Sequence, residues 1–258
     1  MACRNNGGRV MQVFNRYEVK YLITADQVDK IIQQLLNSGK MRLDKYNQAG
    51  DWYPIQSLYF ASITDVVSQQ ALRLELNEFK QRLRLRTYGP ARASEPAFLE
   101  IKKKFLKKTY KRRVTVDYQT ATAFLMTQVL PTNQITREVA ALRVQQQDPV
   151  IKIAYDRVAL HATQATSDLR ISFDRNVRYD MAELDIATET IGYQLLKPGM
   201  VLMEIKTELG MPSFLRQILG EYKLRPTRFS KFERGLKDGF QRHATAYQML
   251  MEKDFTHA

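Results

Sequence analysis

Cationic and apolar residues alternate along several short segments of the chain. Arg82, Arg84 and Arg86 alternate with Leu83 and Leu85. Because successive side chains of a β-strand point to opposite faces, this spacing predicts a strand with one basic face and one apolar face. The same alternation recurs in the segments 14–21, 98–104, 155–157, 170–172 and 201–206. The pattern therefore predicts a set of strands that each present charge on one side only.

Apolar residues at helical spacing predict helices between and after these strands. One helix is opened by a capping box at Thr24 and ends near Gly39, and another is opened by a capping box at Ser230 and reaches about residue 253. The other predicted helices are 120–129, 135–142 and 213–222, whereas 180–199 lacks periodicity and is predicted to be a loop. No repeat or linker divides the chain, so we expect one α+β domain dominated by antiparallel strands.

The composition is that of a folded, basic protein. The chain has 258 residues, of which 44% are hydrophobic, and a formal net charge of +13. A disordered or collagen-like chain is therefore excluded, and no run reaches the ~18 apolar residues of a membrane helix. The single cysteine, Cys3, excludes an intramolecular disulfide and a thiolate metal cluster. Its isolation fits a reducing compartment, so we expect a cytoplasmic protein.

Most of the positive charge lies between Lys80 and Arg113, where thirteen Lys and Arg face only Glu95 and Glu100. Like charges on neighbouring strands destabilise a sheet, so a face this basic needs an anion to compensate it. If the sheet closes with the basic face inward, its interior would hold a polyanion, and arginine suits phosphate. An ordinary sheet with its polar face in water remains the alternative, and the segment 103–113 is either a solvated hairpin tip or a guide for the polyanion.

The sequence lacks the common nucleotide-binding, zinc and hydrolase motifs. There is no GxxxxGK[ST], HExxH, CxxC or GxSxG, and the three histidines are scattered and expected at the surface. Glu18, Glu100 and Glu204 are each followed at i+2 by lysine, and salt bridges are the favoured interpretation for Glu18 and Glu100. Glu204 lies in the most apolar strand, where a divalent metal bridging it to phosphate oxygens would explain a carboxylate.

An ordered set of short motifs resembles a known family. The motifs are the segments 16–21, 57–60, 84–89, 100–102, 155–157, 170–172, 203–206 and 229–232. Together they resemble the VTC domain, the polyphosphate polymerase domain of the vacuolar transporter chaperone family, within the triphosphate tunnel (CYTH-like) superfamily. The resemblance implies a closed antiparallel β-barrel with a basic lumen, flanking helices and a C-terminal helix. It would divide the chain into a flexible N-terminus (1–13), the tunnel domain (14–240) and the helix end and tail (241–258).

The resemblance also implies a reaction, in which the end of a growing polyphosphate chain attacks the γ-phosphate of ATP and ADP is released. The side chains that would line the tunnel and hold phosphates are Lys20, Arg73, Arg84, Arg86, Lys102, Arg157 and Arg170. Tyr155 would add a hydroxyl, Ser230 and Lys231 would close the tunnel from the C-terminal helix, and Glu204 would hold Mn²⁺ or Mg²⁺. The expected catalytic set is Lys20, Arg84, Arg86, Lys102 and Glu204. Ser230 is equally explained as the N-cap of its helix.

Departures from the pattern leave other functions open. Tunnel hydrolases carry ExExK on the first strand, whereas this chain has Arg16 at the first position, followed by Glu18 and Lys20. This favours holding a long polyanion over hydrolysis by a tunnel triphosphatase. Ala61 replaces the aspartate usual after Tyr59-Phe60, and a non-catalytic polyphosphate-binding module is a further alternative. The expected partners are ATP and polyphosphate rather than nucleic acid, and a membrane-bound partner stays open.

Overall fold

The computed structural model of the protein describes residues 12–14, 17–47, 51–62, 79–105, 108–127, 134–145, 148–165, 167–190, 192–208 and 210–242. The strands of these residues are β1 (Gln12–Phe14), β2 (Tyr17–Thr24), β3 (Met41–Leu43), β4 (Tyr53–Ala61), β5 (Phe79–Thr87), β6 (Pro96–Phe105), β7 (Lys108–Asp117), β8 (Asp148–Ala162), β9 (Arg170–Asp180), β10 (Tyr193–Gln194), β11 (Met200–Thr207) and β12 (Pro226–Thr227). The helices are α1 (Ala25–Asn37), α2 (Tyr118–Thr127), α3 (Gln134–Gln145), α4 (Ser213–Glu221) and α5 (Lys231–Arg242), with a 3₁₀ turn at Lys45–Asn47.

One antiparallel sheet contains all of these strands. Its order is β1-β7-β6-β5-β4-β8-β9-β11-β2-β12, with β3 added beside β8 and β10 beside β9. The mixed α+β class expected from the sequence is confirmed. The expected closed barrel is not confirmed, because within the described ranges no pairing of strands joins β1 to β12.

The sheet is nevertheless strongly curled. Strands β6 and β2 are six positions apart in the sheet, which would separate them by about 29 Å if the sheet were flat. Yet Lys102 Nζ on β6 lies 3.9 Å from Glu18 Oε2 on β2. The two faces of the sheet are therefore an inner face, on which these side chains meet, and an outer face.

Helices cover the outer face in two places. Helix α1 buries Val28, Ile31 and Leu35 in a core with the outward residues of β2, β8, β9 and β11, and α4 joins the same core. Helices α2 and α3 bury Phe124 and Val139 against the outward residues of β5 and β6. The apolar positions of the alternating strands therefore pack under helices, as their spacing predicts, and the polar positions remain for the inner face.

Helix α5 lies against one end of the inner face. Phe232 and Leu236 share a buried apolar cluster with Ile151 of β8 and Tyr179 of β9. The absence of a side chain at Gly235 permits this close approach, because a Cβ there would lie 2.7 Å from Ile151 Cδ1. The inner face is therefore apolar where α5 covers it and charged over the remainder.

Several segments differ from the sequence predictions. Within the segment 103–113, predicted as a hairpin tip or guide, residues 103–105 belong to the long strand β6 and residues 108–113 to the long strand β7. Gln12 and Val13, predicted within the flexible N-terminus, belong to β1 and pair with β7. The predicted loop 180–199 contains the short strand β10. The continuation of the last helix to residue 253 lies outside the described residues.

Among the residues that the structure describes, no helix combines the length and the apolar character needed to cross a bilayer.

Candidate functional site

A buried carboxylate on β6 contacts cations from the two neighbouring strands, β5 and β7, on the inner face. Glu100 is 1% exposed, and its oxygens lie 2.5 Å from Arg84 Nη2, 2.6 Å from Lys111 Nζ and 2.5 Å from Arg113 Nη2. Arg86 Nη1 lies 3.9 Å from Glu100 Oε2. Burial alone would raise the pKa of Glu100, but these cations hold it well below its ordinary value. Glu100 therefore forms salt bridges, as the sequence favours, and cannot neutralise all the charge around it.

Lys111 shows the effect of this crowding. Burial lowers its pKa, Glu100 opposes the shift, and Arg84, Arg113 and Arg86 add to it, so that the pKa lies well below its ordinary value. An additional anion on the inner face would relieve this repulsion. The cluster around Glu100 is therefore suited to binding a negatively charged ligand.

A second buried carboxylate links the sheet to the last helix. Asp174 on β9 is fully buried and accepts two hydrogen bonds from Arg157 of β8, at 2.6 and 2.8 Å. Lys231, in the first turn of α5, contacts the same carboxylate, with its Nζ 2.5 Å from Asp174 Oδ2. Ser230 caps this helix, because its Oγ accepts a hydrogen bond from the Glu233 amide at 3.3 Å. The start of α5 is thereby fixed over the inner face.

The third buried carboxylate lies on β11. Glu204 is 6% exposed and is opposite Lys20 of β2 and Ser172 of β9 in the sheet register. Its Oε1 lies 3.2 Å from Lys20 Nζ, and its Oε2 accepts a hydrogen bond from Lys206 at 2.7 Å. Burial would raise its pKa, but Lys206, Lys231 and Lys20 hold the pKa well below its ordinary value. Glu204 is therefore an ionised carboxylate among lysines.

Two tyrosine hydroxyls connect these groups across the inner face. Tyr155 of β8 accepts a hydrogen bond from Arg86 at 3.0 Å, and Tyr59 of β4 accepts one from Arg84 at 3.0 Å. Lys231 Nζ lies 4.6 Å from the centre of the Tyr155 ring. The contacts around Glu100 and around Asp174 therefore belong to one continuous polar surface.

We define the charged inner face by the side chains in these contacts. Its carboxylates are Glu18, Glu100, Asp174 and Glu204. Its cations are Lys20, Arg84, Arg86, Lys102, Lys111, Arg113, Arg157, Lys206 and Lys231. Positive charges outnumber negative ones by about two to one, and a concave surface of this kind attracts and holds polyanions.

Carboxylates on the inner face do not form a metal cage. Within the part of the chain that the structure describes, no group of three or more His, Cys, Asp or Glu could hold a metal ion. Glu204 Oε1 and Glu18 Oε1 each lie 3.2 Å from Lys20 Nζ, so two carboxylates flank one lysine. Mg²⁺ is usually bound by one or two carboxylates together with substrate phosphates and water. Glu204 and Glu18 are therefore the residues that could hold such an ion together with phosphate oxygens.

A family comparison identifies the chain. The family model of the VTC domain matches residues 15–239. The chain belongs to the VTC domain family. The resemblance of the motifs is confirmed, and a polyphosphate-related function of the phosphotransferase type follows for this VTC domain at the level of the family.

One solved structure supports the fold of this VTC domain. A protein from Bacillus halodurans, named provisionally as an adenylate cyclase, superposes with a TM-score of 0.50 at 12% identity, over 85% of this chain and 95% of that chain. This likeness bears on the fold alone. The PH1819 protein from Pyrococcus horikoshii OT3 matches with a TM-score of 0.38 at 14% identity, over 86% of this chain and 99% of that chain. No curated protein matches significantly.

The VTC domain brings most of the residues predicted for its site together. Those on the charged inner face are Lys20, Arg84, Arg86, Lys102, Tyr155, Arg157, Glu204 and Lys231. Arg170 lies at its edge, where its Nη2 donates to Asp44 at 3.1 Å beside His161. Ser230 occupies the helix cap, and Arg73 lies outside the described residues.

Sequence reasoning missed five inner-face residues of this VTC domain, namely Tyr59, Lys111, Arg113, Asp174 and Lys206. Lys111 and Arg113 alternate at period two, which was a usable signal for a strand with an inward basic face. Asp174 follows Arg170 and Ser172 at the same spacing on β9. Its pairing with Arg157 and Lys231 depends on strand register and on the position of α5, so no local pattern could reveal it.

Proposed function

We propose that this protein is a polyphosphate polymerase. In the proposed reaction, a terminal oxygen of the polyphosphate chain attacks the γ-phosphorus of ATP, the bond from that phosphorus to the β–γ bridging oxygen breaks, and ADP leaves with the electron pair. The observation that carries the proposal is the excess of cations over carboxylates on the charged inner face. A chain of phosphates is an anion of matching charge and extended shape.

We further propose that the curled sheet encloses the phosphate chain as a tunnel. The 3.9 Å contact between Lys102 and Glu18 brings strands together that lie far apart in the sheet order. Side chains from β2, β5, β6, β7, β8, β9 and β11 then surround one volume. An enclosure of this kind would keep the reacting phosphates in line and away from water.

The inner-face residues have separate roles in this proposal. Arg84, Arg86 and Lys102 would hold the phosphates of ATP and of the growing chain, because phosphoryl transfer needs alignment and charge neutralisation rather than covalent help. Arg157 and Lys231 would contact phosphate at the start of α5, where Asp174 fixes both cations. Arg170 would bind a phosphate oxygen in place of its present contact with Asp44. The assignment of Arg73 to phosphate rests on the sequence.

Glu204 is the residue that would hold Mn²⁺ or Mg²⁺. Its buried, ionised carboxylate is the donor that the ion needs, and phosphate oxygens would complete the coordination. When bound there, the ion would neutralise charge on the triphosphate. Lys20 and Lys206, which now contact the carboxylate, would then be released to donate to phosphate oxygens.

The decisive experiment is to incubate the purified protein with ATP and Mn²⁺, and in parallel with Mg²⁺, and to separate the products on a polyphosphate gel. A ladder of long chains accompanied by ADP is expected. Orthophosphate without a ladder would make the protein a tunnel triphosphatase. Absence of turnover, together with tight binding of added polyphosphate, would make it a non-catalytic binding module.

Two neighbouring arginines of β7 test the inner face as the binding surface. Arg113 contacts Glu100 on the inner face, whereas Arg112 contacts Glu138 of α3 on the outer face. The Arg113→Ala variant should bind tripolyphosphate about tenfold more weakly, as expected for the loss of one charged hydrogen bond. The affinity is measured by isothermal titration calorimetry at fixed ionic strength.

The Arg112→Ala variant is the matched control, since it removes the same charge from the same strand. Its affinity for tripolyphosphate should stay within about twofold of the wild type, because the Arg112 side chain contacts Glu138 on the outer face, away from the bound phosphate. An equal loss of affinity in the two variants would show that tripolyphosphate binding depends on net charge alone and does not take place on the inner face.

A further inference from the structure

Tyr59 lies beside the arginines of the charged inner face although no sequence motif assigns it a role there. On β4 it is opposite Arg84 in the register with β5, and its hydroxyl oxygen accepts a hydrogen bond from Arg84 Nη1 at 3.0 Å. Its ring contacts Phe232 of α5, with 5.0 Å between the ring centres. The tyrosine is therefore held on both sides, by the sheet and by the last helix.

Arg84 is fixed by this hydroxyl and by Glu100 together. Its Nε donates to Glu100 Oε2 at 2.6 Å, its Nη2 lies 2.5 Å from the same oxygen, and its Nη1 donates to Tyr59. A guanidinium carries five N–H donors in one plane, so these contacts set its orientation and leave further donors for a ligand. Without the hydroxyl, only the edge of the guanidinium that faces Glu100 would be held.

We propose that Tyr59 is a positioning residue that holds the Arg84 guanidinium toward a bound phosphate chain and couples phosphate binding to its own protonation state. The ligand class rests on the proposed function. A neutral tyrosine hydroxyl that accepts from Arg84 can donate its own proton to a phosphate oxygen. A phenolate at the same place would be an acceptor only, and its negative charge would compete with phosphate for Arg84.

The surroundings of Tyr59 place this ionisation in an accessible pH range. The charged groups that face it are Arg84 and Arg86 from β5 and Lys231 from α5, while Glu100 of β6 lies behind Arg84 and Tyr155 of β8 behind Arg86. Burial would raise the pKa of Tyr59, but the three cations lower it to about 8.

The direction of the pH effect follows from this value. Below pH 8 the hydroxyl is neutral and supports phosphate binding, whereas above pH 8 the phenolate forms and opposes it. If phosphate binds only when Tyr59 is neutral, a pKa of about 8 makes the affinity about tenfold weaker at pH 9 than at pH 7. Lys102 and Lys111, whose pKa values are lowered, also lose charge as the pH rises. The contribution of Tyr59 is therefore the difference between the wild type and Tyr59→Phe in the loss of phosphate affinity as the pH rises.

The test measures tripolyphosphate affinity at pH 7, 8 and 9 by calorimetry, at constant ionic strength and without nucleotide or metal. From pH 7 to pH 9 the wild type should lose about tenfold more affinity than Tyr59→Phe, which keeps the ring against Phe232. The Tyr155→Phe variant is the control: it removes a hydroxyl that accepts from Arg86 and keeps Tyr59, so it should retain the loss of affinity that the wild type shows from pH 7 to pH 9. With a purely structural role for Tyr59, the Tyr59→Phe variant would weaken binding equally at each pH.

A spectroscopic titration follows the same group directly. Phenolate absorbance near 295 nm should show one tyrosine titrating near pH 8, absent in Tyr59→Phe and displaced to higher pH by tripolyphosphate. Identical titrations, or parallel pH profiles, in wild type and Tyr59→Phe would overturn the proposal. A missing polymer ladder with the pH difference intact would overturn the polymerase reaction and still support the role of Tyr59.

Discussion

The Glu204→Gln variant is expected to lose metal-dependent formation of polyphosphate by about 10²- to 10³-fold, as is usual when a preorganised charged group is removed from a phosphoryl-transfer site. Glutamine keeps the shape of the side chain but cannot supply the ionised oxygen. Lys20 retains contacts with Glu18 and with the Phe229 carbonyl, so the fold should persist. The measurement is the rate of ADP release from ATP in Mn²⁺, with polymer length read on a gel.

Binding without metal separates this role from a structural one. Removing a negative charge from the inner face should leave the affinity of Glu204→Gln for tripolyphosphate unchanged or higher. The control is Glu138→Gln, which removes a carboxylate on the outer face that contacts Lys103 and Arg112. Unchanged turnover in Glu204→Gln would remove Glu204 from the metal site, and weaker metal-free binding would show that it acts by arranging the lysines.

The Asp174→Asn variant is expected to lose about 3–5 kcal/mol of its free energy of unfolding, because the buried Arg157 and the mostly buried Lys231 lose their shared carboxylate. For a chain of this size, that loss lowers the melting temperature by about 10 °C. The carboxylate is fully buried and contacts both Arg157 and Lys231. Thermal unfolding at neutral pH, followed by circular dichroism, measures the change.

The pH dependence of this difference has a definite sign. Burial alone would raise the pKa of Asp174, but Arg157 and Lys231 lower it below its ordinary value. Its stabilising contribution is therefore present above the unfolded pKa of about 3.9 and is lost as the pH falls through the lower folded value. The wild type and Asp174→Asn should accordingly converge in stability only in strong acid.

Asp156→Asn is the matched control, because Asp156 lies on β8 with a side chain that is 21% exposed and 3.8 Å from Arg175. Its melting temperature should change by only about 1–2 °C. Tripolyphosphate should stabilise Asp174→Asn more than the wild type, since Arg157 and Lys231 are left without a carboxylate. A melting temperature for Asp174→Asn like that of Asp156→Asn would contradict the buried pairing.

Strand faces were the feature of the fold most directly accessible from the sequence. The alternation through Arg82, Arg84 and Arg86 predicts a strand with a basic face, and β5 has that strand with Arg84 and Arg86 on the inner face. Leu83 and Leu85 are fully buried on the other side. This agreement has a simple cause, because the period of two is a property of the extended backbone itself.

Other predictions depended on partners that are distant in sequence. The segment 103–113 carries mainly lysine and arginine, and such a composition taken alone resembles a solvated loop. Pairing with β5 and β1 nevertheless makes residues 103–105 part of β6 and residues 108–113 part of β7. Tyr59 was visible within a motif, but its contacts with Arg84 and Phe232 arise only when β5 and α5 are in place. Backbone hydrogen bonds to neighbouring strands outweigh a local preference for solvent.

The sequence by itself determined the α+β class, the basic and apolar faces of the strands, the helix starts at Thr24 and Ser230 and, through its ordered motifs, the VTC family. Tertiary structure decided which charges meet: four cations around Glu100, two around Asp174, and two lysines at Glu204. The physical reason is that side-chain direction is set locally by backbone geometry, whereas the distance between charges on different strands depends on register and on the curl of the whole sheet.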